Sequence, residues 1–134
     1  MLRKLTTKTR AGFTLVEIMI VVAIIALLAA IAVPNFLRSR KRSQATQVLE
    51  DLRILDSAVD QYAIENNKNT TTSPAFADLQ AYIKTGTRLY MSANTDILGA
   101  SFGTFTVDTP PKVNLTTFNA LSDVAPASFW SPYK

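Results

Sequence analysis

The decisive stretch is residues 12–34, which read GFTLVEIMIVVAIIALLAAIAVP. Every residue from 18 to 33 is apolar, yet the carboxylate of Glu17 stands at the front of this run. As a helix, residues 13–33 would be ~32 Å long, enough to cross the ~30 Å of hydrocarbon in a bilayer. A carboxylate at membrane depth costs about 2.5–3.5 kcal/mol, so we expect Glu17 to have a partner or a task.

A wholly basic leader precedes the apolar run. Residues 1–12 contain no acid, and their bases are Arg3, Lys4, Lys8 and Arg10. The formal net charge of +4 therefore lies entirely in the leader, because the bases that follow are balanced by the 10 acids of the chain. The bulk charge thus gives no ground for a nucleic-acid partner, and we predict none.

Composition limits the chemistry that the chain can carry. Its 134 residues allow one small domain besides the N-terminal segment. The absence of cysteine and histidine removes disulfides, thiol nucleophiles, and the commonest general base and zinc ligand. No P-loop, G-x-S-x-G or G-x-G-x-x-G pattern is present. We therefore predict a protein that is not an enzyme and has no catalytic residue, cofactor or metal site.

Two ordinary interpretations of the N-terminus leave Glu17 unexplained. The first is a secretory signal with a small-x-small cleavage site at residues 30–32, although the apolar run exceeds the usual length of roughly 7–15 residues. The second is a permanent anchor helix. Either would belong to a secreted or membrane-anchored binding domain, which we keep as an alternative of a different class.

A third interpretation uses every residue at the junction. The sequence GFTLVE at residues 12–17 resembles the processing site of type IV prepilins and of the related pseudopilins of type II secretion. The resemblance implies that a prepilin peptidase and methyltransferase cuts between Gly12 and Phe13 on the cytoplasmic side and that Phe13 is then N-methylated. Glycine suits such a cut, since it lets the chain lie extended in a protease cleft.

The resemblance also implies how the subunit assembles. In this family the glutamate serves assembly, and Glu17 occupies its position. Glu17 lies one helical turn from Phe13, so its carboxylate would neutralise the Phe13 ammonium of a neighbouring subunit inside an apolar filament core. Pilins often carry a proline in this helix, and Pro34 matches it and favours a kink or local melt. We therefore expect a helical homopolymer, built by a pilus or secretion assembly machinery.

The implied location is the bacterial inner membrane, with one span, the leader in the cytoplasm and the head outside it, followed by a periplasmic or cell-surface filament. A type IV pilin is the main interpretation, and the major pseudopilin of a type II secretion system is the alternative. Major pseudopilins bind calcium in one segment of the head. The spacing of Asp96, Gly99 and Phe102 resembles the sequence of that segment. Only Asp96, Asp108 and Asp123 offer carboxylates there, so we do not expect a calcium site.

The rest of the chain divides at a polar loop. We expect residues 13–37 to form the membrane and filament-core helix, residues 38–66 its amphipathic continuation, and residues 67–134 a small globular head. One helix would then run over residues 13–66. Apolar residues at intervals of three or four predict that its second half packs on its own domain. They are Ala45, Val48, Leu49, Leu52, Leu55, Val59, Tyr62 and Ala63.

A basic cluster follows the apolar run in the sequence. Its members are Arg38, Arg40, Lys41 and Arg42. We interpret them as membrane-flanking residues that later pair with acids of neighbouring subunits, such as Glu50 and Asp51.

The predicted fold class is α+β, with the long N-terminal helix packed on a small antiparallel β-sheet head that contains one or two short helices. Residues 89–91 and 103–107 are the predicted strands, joined through a turn-rich segment at 94–99. A short helix is predicted after Ser73 and Pro74, and another within residues 116–124. Residues 129–133 are apolar enough that we expect them to pack on the head.

Overall fold

The computed structural model describes residues 11–134, so residues 1–10 of the expected leader lie outside the described residues. One long helix, α1, spans Leu15–Glu65 and contains 51 residues. This confirms the predicted N-terminal helix. Pro34 lies inside α1 and lacks an amide hydrogen, so one hydrogen bond of the helical ladder cannot form there.

The chain divides into two compact units, Met1–Leu37 and Arg38–Lys134. We call them the apolar unit, described from residue 11, and the head. In the apolar unit, the large side chains of α1 are all at least half exposed, as Leu27 (65%) and Phe36 (67%) illustrate. The most apolar window of α1 has a mean hydropathy of 3.0, and the helix is long and apolar enough to cross a membrane.

The head has a closed hydrophobic core. The stripe on the second half of α1 is buried as predicted over residues 45–59, with Leu52 and Leu55 at 0% exposure, whereas its last members, Tyr62 and Ala63, are half-buried. Residues from the rest of the head cover this stripe. They are Leu79, Ile83, Leu89, Phe102, Phe105, Val107, Leu121, Ala125, Trp130 and Tyr133.

Short helices connect these core residues. Helix α2, Phe76–Leu79, continues into a 3₁₀ turn at Gln80–Tyr82. The short helix predicted here is confirmed, although Ala75 is its N-cap. Helix α3 is Arg88–Met91 and helix α4 is Leu115–Leu121. Helix α4 confirms the second predicted short helix.

The predicted antiparallel sheet is not confirmed. Residues 11–134 contain two isolated bridges, one of them between Thr106 and Thr109, and no strand. Residues 89–91 belong to α3, because the Thr87 side chain accepts a hydrogen bond from the Tyr90 amide and starts a helix. Beyond α3, residues with positive φ turn the chain before a strand can extend. They are Ala93, Asn94, Gly99, Gly103 and Asp108.

The last residues of the sequence complete the core, as predicted. A 3₁₀ turn at Ala127–Trp130 places the indole of Trp130 at 0% exposure. The backbone carbonyl of Tyr133 accepts a hydrogen bond from the Val113 amide at 2.6 Å. The Tyr133 hydroxyl donates to the carboxylate of Asp56 on α1 at 3.2 Å. The segment therefore ties two distant parts of the head together.

Candidate functional site

The first turn of α1 is closed by a reciprocal hydrogen-bond pair. The Oε2 atom of Glu17 accepts from the Thr14 amide at 2.7 Å and from the Thr14 hydroxyl at 3.0 Å. In return, the Glu17 amide donates to Thr14 Oγ1 at 3.2 Å. This is a capping box, in which the residue before the helix and the third helical residue satisfy each other's backbone amides. Glu17 therefore has a partner within its own chain.

Sequence reasoning missed this intramolecular task. The signal was present as Thr14-x-x-Glu17 before an apolar run, which is the capping-box pattern. The resemblance alone implies a partner for Glu17 only in a neighbouring subunit. In an apolar medium such a cap would stabilise the helix more than it does in water, because uncapped backbone amides there have no solvent partner.

Phe13 and Glu17 lie together at the start of α1. Both line a shallow groove whose other walls are apolar. Those walls are Ile18, Ile20 and Val21. Phe13 is 86% exposed, and Gly12 precedes the helix with no atom within 4 Å of the position a Cβ would take. The predicted cut residues and the glutamate are thus neighbours, whereas Pro34 lies ~26 Å further along the helix.

One residue of the basic cluster pairs with an acid that the sequence analysis did not name as its partner. Lys41 Nζ lies 2.9 Å from an Asp123 carboxylate oxygen. This hydrogen bond, helped by the positive charges of Lys41 and Arg38, lowers the pKa of Asp123. Both partners are well exposed, so the pair adds little to stability.

Asp51 cannot serve as an acid for neighbouring subunits, which corrects our interpretation of the cluster. Its side chain is buried at 7% exposure and pairs with the guanidinium of Arg88. Burial raises the pKa of Asp51, and the attraction of Arg88 opposes that shift. Glu50 is exposed and lies 3.6 Å from Arg53. Of the two acids we named, Glu50 is the exposed one.

Asp96 is buried at 5% exposure and organises its own loop. Its Oδ1 accepts from the amides of Leu98 at 2.8 Å and Ala100 at 2.9 Å, and its Oδ2 accepts from the Thr117 hydroxyl. A calcium ligand must direct a lone pair at the ion, but three of the roughly four lone-pair sites of this carboxylate already accept hydrogen bonds. Within residues 11–134, no cluster of three or more acids is placed to hold a metal.

Together, the fold and the site define a class of protein with one uncovered apolar helix, a capped glutamate in its first turn, and a separately closed head. The family described as "Prokaryotic N-terminal methylation motif" matches residues 7–33. The chain therefore carries this motif, and the relatives below show that it is similar to pilins and pseudopilins.

The curated relatives include both type II secretion proteins and a type IV pilus component. The type II secretion system core protein G of Klebsiella michiganensis is 37% identical over 76 residues, which are 57% of this chain and 51% of that protein. The type IV wide pilus major component PilA4 of Thermus thermophilus is 44% identical over 68 residues, 51% of this chain and 52% of that protein. The chain thus spans about half the length of the curated relatives it matches. No solved structure matches it.

Proposed function

We propose that the protein is a structural subunit that polymerises into a type IV pilus-like filament after a prepilin peptidase cuts its leader. The observation that carries this proposal is the contrast between a closed head and an apolar unit whose large side chains are at least half exposed. A helix this apolar needs a second apolar environment, which is first the bilayer and later the core formed by other copies. Such a subunit acts by assembly and is not an enzyme.

The proposed cut lies between Gly12 and Phe13. Both residues are exposed and precede the helix, so a peptidase has access to an unstructured peptide bond. The cut would remove the basic leader and leave a Phe13 ammonium beside the groove that holds Glu17. N-methylation of this amine by the same enzyme keeps its positive charge.

Glu17 is proposed to have two partners at once. Its Oε2 caps its own helix through Thr14. Within residues 11–134, no hydrogen bond is made by Oε1, which leaves this oxygen for the Phe13 ammonium of a neighbouring subunit. Pairing the two charges offsets the cost of burying each in an apolar filament core. The ammonium and the carboxylate together would fix the position of one subunit against the next.

The bilayer would store the subunit before assembly. The valine, leucine, isoleucine and methionine side chains of residues 18–33 each gain ~1.5–3 kcal/mol on leaving water, which makes release of the apolar unit into water prohibitive. Transfer from lipid to a filament core is far less costly, because lipid is already apolar. We propose one span of the bacterial inner membrane, the leader in the cytoplasm, the head outside it, and a periplasmic or cell-surface filament built by a pilus or secretion machinery.

The major pseudopilin of a type II secretion system is the second candidate. It is favoured by the similarity to several proteins named type II secretion system core protein G. The Asp96 loop favours the pilus subunit. A calcium-binding pseudopilin would use this carboxylate as a ligand, but here it accepts hydrogen bonds from two amides and a hydroxyl.

The test combines N-terminal mass analysis with electron microscopy of shed filaments. We expect an N-methylated Phe13 and filaments that contain this chain. A mature terminus at Val33, or an intact Met1, would support a secreted or anchored binding domain instead. The Glu17→Val variant should still be cut but should not form filaments, whereas normal filaments from it would refute the pairing role.

A further inference from the structure

Most of the basic cluster has no acidic partner among the described residues of the head. Arg38, Arg40 and Arg42 are exposed, and only Lys41 makes an ion pair, with Asp123. Among the described residues, no ion pair involves the three arginines. Three unpaired guanidinium groups within five residues repel one another, so an anionic partner would stabilise them.

Three acids, two of them close to this cluster along α1 and one that contacts it from after α4, already have basic partners. Glu50 lies beside Arg53 at 3.6 Å, and Asp51 is buried against Arg88. Asp123 is held by Lys41 at 2.9 Å. To pair with this cluster, Glu50 and Asp123 of another copy would have to give up their present bases, and the buried Asp51 could not reach it.

The arrangement of the cluster around α1 favours a partner that surrounds the helix. Residues four apart, such as Arg38 and Arg42, share a face, whereas Arg40 is two residues from each and points elsewhere. An acidic patch on one protein surface would meet only one of these faces. A layer of lipid headgroups meets all of them, because a membrane encloses the helix on every side.

We propose that Arg38, Arg40 and Arg42 bind the headgroups of anionic phospholipids such as phosphatidylglycerol. The cluster begins directly after Leu37, where the apolar unit ends, so the bases reach the headgroup layer when residues 13–37 occupy the hydrocarbon. The inference rests on the proposed membrane-stored subunit. It adds an electrostatic contact between lipid and protein that must break when the subunit leaves the bilayer.

The test compares lipids retained by the full chain on release from nanodiscs made of equal amounts of phosphatidylglycerol and phosphatidylcholine, counted by native mass spectrometry. The wild type should retain phosphatidylglycerol in excess. Each basic residue near an anionic membrane surface raises the affinity for it about fivefold. The phosphatidylglycerol excess should therefore fall at least about fivefold in the triple variant Arg38→Gln, Arg40→Gln, Arg42→Gln. Every variant carries the same leader, so the leader bases cancel in the comparison.

Two matched variants identify the cause. The triple variant Lys68→Gln, Lys84→Gln, Lys112→Gln removes the same charge from exposed positions of the head and should retain the excess. Replacing the three arginines by lysine should also retain it, since charge is what the headgroups attract. Equal loss in the Lys68, Lys84 and Lys112 variant would overturn the proposal.

The remaining outcomes separate this inference from the proposed function. If both lipids are retained equally by the wild type, the headgroup contact is wrong although the membrane span stands. If the arginine variant keeps the wild-type excess but its filaments dissociate at lower salt, the cluster binds acids of neighbouring subunits, and the lipid proposal is refuted. A chain that retains no lipid at all would refute membrane storage itself.

Discussion

Leu27 and Leu52 lie on the same helix and have opposite surroundings. Leu27, in the apolar unit, is 65% exposed, whereas Leu52, in the head, is completely buried. Local sequence makes both residues helical, but only Leu52 receives tertiary partners from its own chain. The comparison teaches that the head is stabilised by this chain alone, whereas the energetics of the apolar unit depend on whatever surrounds it.

The pair of variants Leu52→Ala and Leu27→Ala would break this comparison most directly. Loss of a fully buried leucine should lower the free energy of unfolding of the head by about 2–5 kcal/mol. Leu27→Ala should change it by less than about 0.5 kcal/mol, because Leu27 is 65% exposed and does not belong to the head core. Urea unfolding in detergent micelles, followed by the fluorescence of the sole tryptophan, Trp130, measures both. Similar losses for the two variants would show that the units are not energetically separate.

The buried ion pair of the head is the next largest effect. Asp51→Asn leaves the partly buried guanidinium of Arg88 without its counter-charge and should cost about 2–4 kcal/mol of head stability. Adding Arg88→Gln should recover part of this loss, because removing both charges leaves neither one unpaired. The same tryptophan assay compares the single and double variants. A double variant no more stable than Asp51→Asn would show that packing, not charge, accounts for the loss.

A smaller effect is expected at the start of α1. Thr14→Val removes the side-chain cap and should cost about 1 kcal/mol locally, while the head keeps its stability. Hydrogen exchange of the amides of residues 15–18 should accelerate in micelles. Thr14→Ser retains the hydroxyl and should exchange like the wild type. Unchanged exchange in Thr14→Val would mean that the capping box does not hold this turn.

The smallest effect concerns pH. Burial raises the pKa of Asp56 despite the hydrogen bond from Tyr133. A raised carboxyl pKa contributes stability that is complete below the unfolded value of about 3.9 and is lost as pH rises through the higher folded value. Relative to Asp56→Asn, the wild-type head should therefore lose stability as the pH rises from about 3.9 to above the folded pKa of Asp56. Melting temperatures of both proteins across it provide the measurement, and parallel curves would contradict the assignment.

Sequence patterns predicted the helical parts of the fold well, because periodicity and caps are local signals. The stripe that contains Leu52 and Leu55 was buried as predicted. The N-cap of α4, Asn114, which accepts a hydrogen bond from the Thr116 amide at 2.9 Å, was not predicted. The strand predicted at residues 89–91 was not confirmed, because Leu89 belongs to a four-residue helix. Short apolar runs do not distinguish a strand from a buried helical turn.

The candidate site was predicted in part. A motif predicts Gly12, Phe13 and Glu17 as site residues, and the structure places Phe13 and Glu17 in one groove. The capping role of Glu17 was missed, although its pattern is readable. The pairing of Asp51 with Arg88 could not be read, because it joins residues 37 apart whose proximity only the packed head creates.

The contact between Tyr133 and Asp56 has a consequence for the order of events during synthesis, because it joins residues 77 apart in sequence. The second half of α1 emerges early, but the residues that cover its buried face are made much later. Contacts of such long range close slowly. Under the proposed topology, the N-terminal span would already be inserted while the growing polypeptide behind it was still unfolded. The membrane would then hold the nascent chain in place until translocation delivered the segment that completes the head.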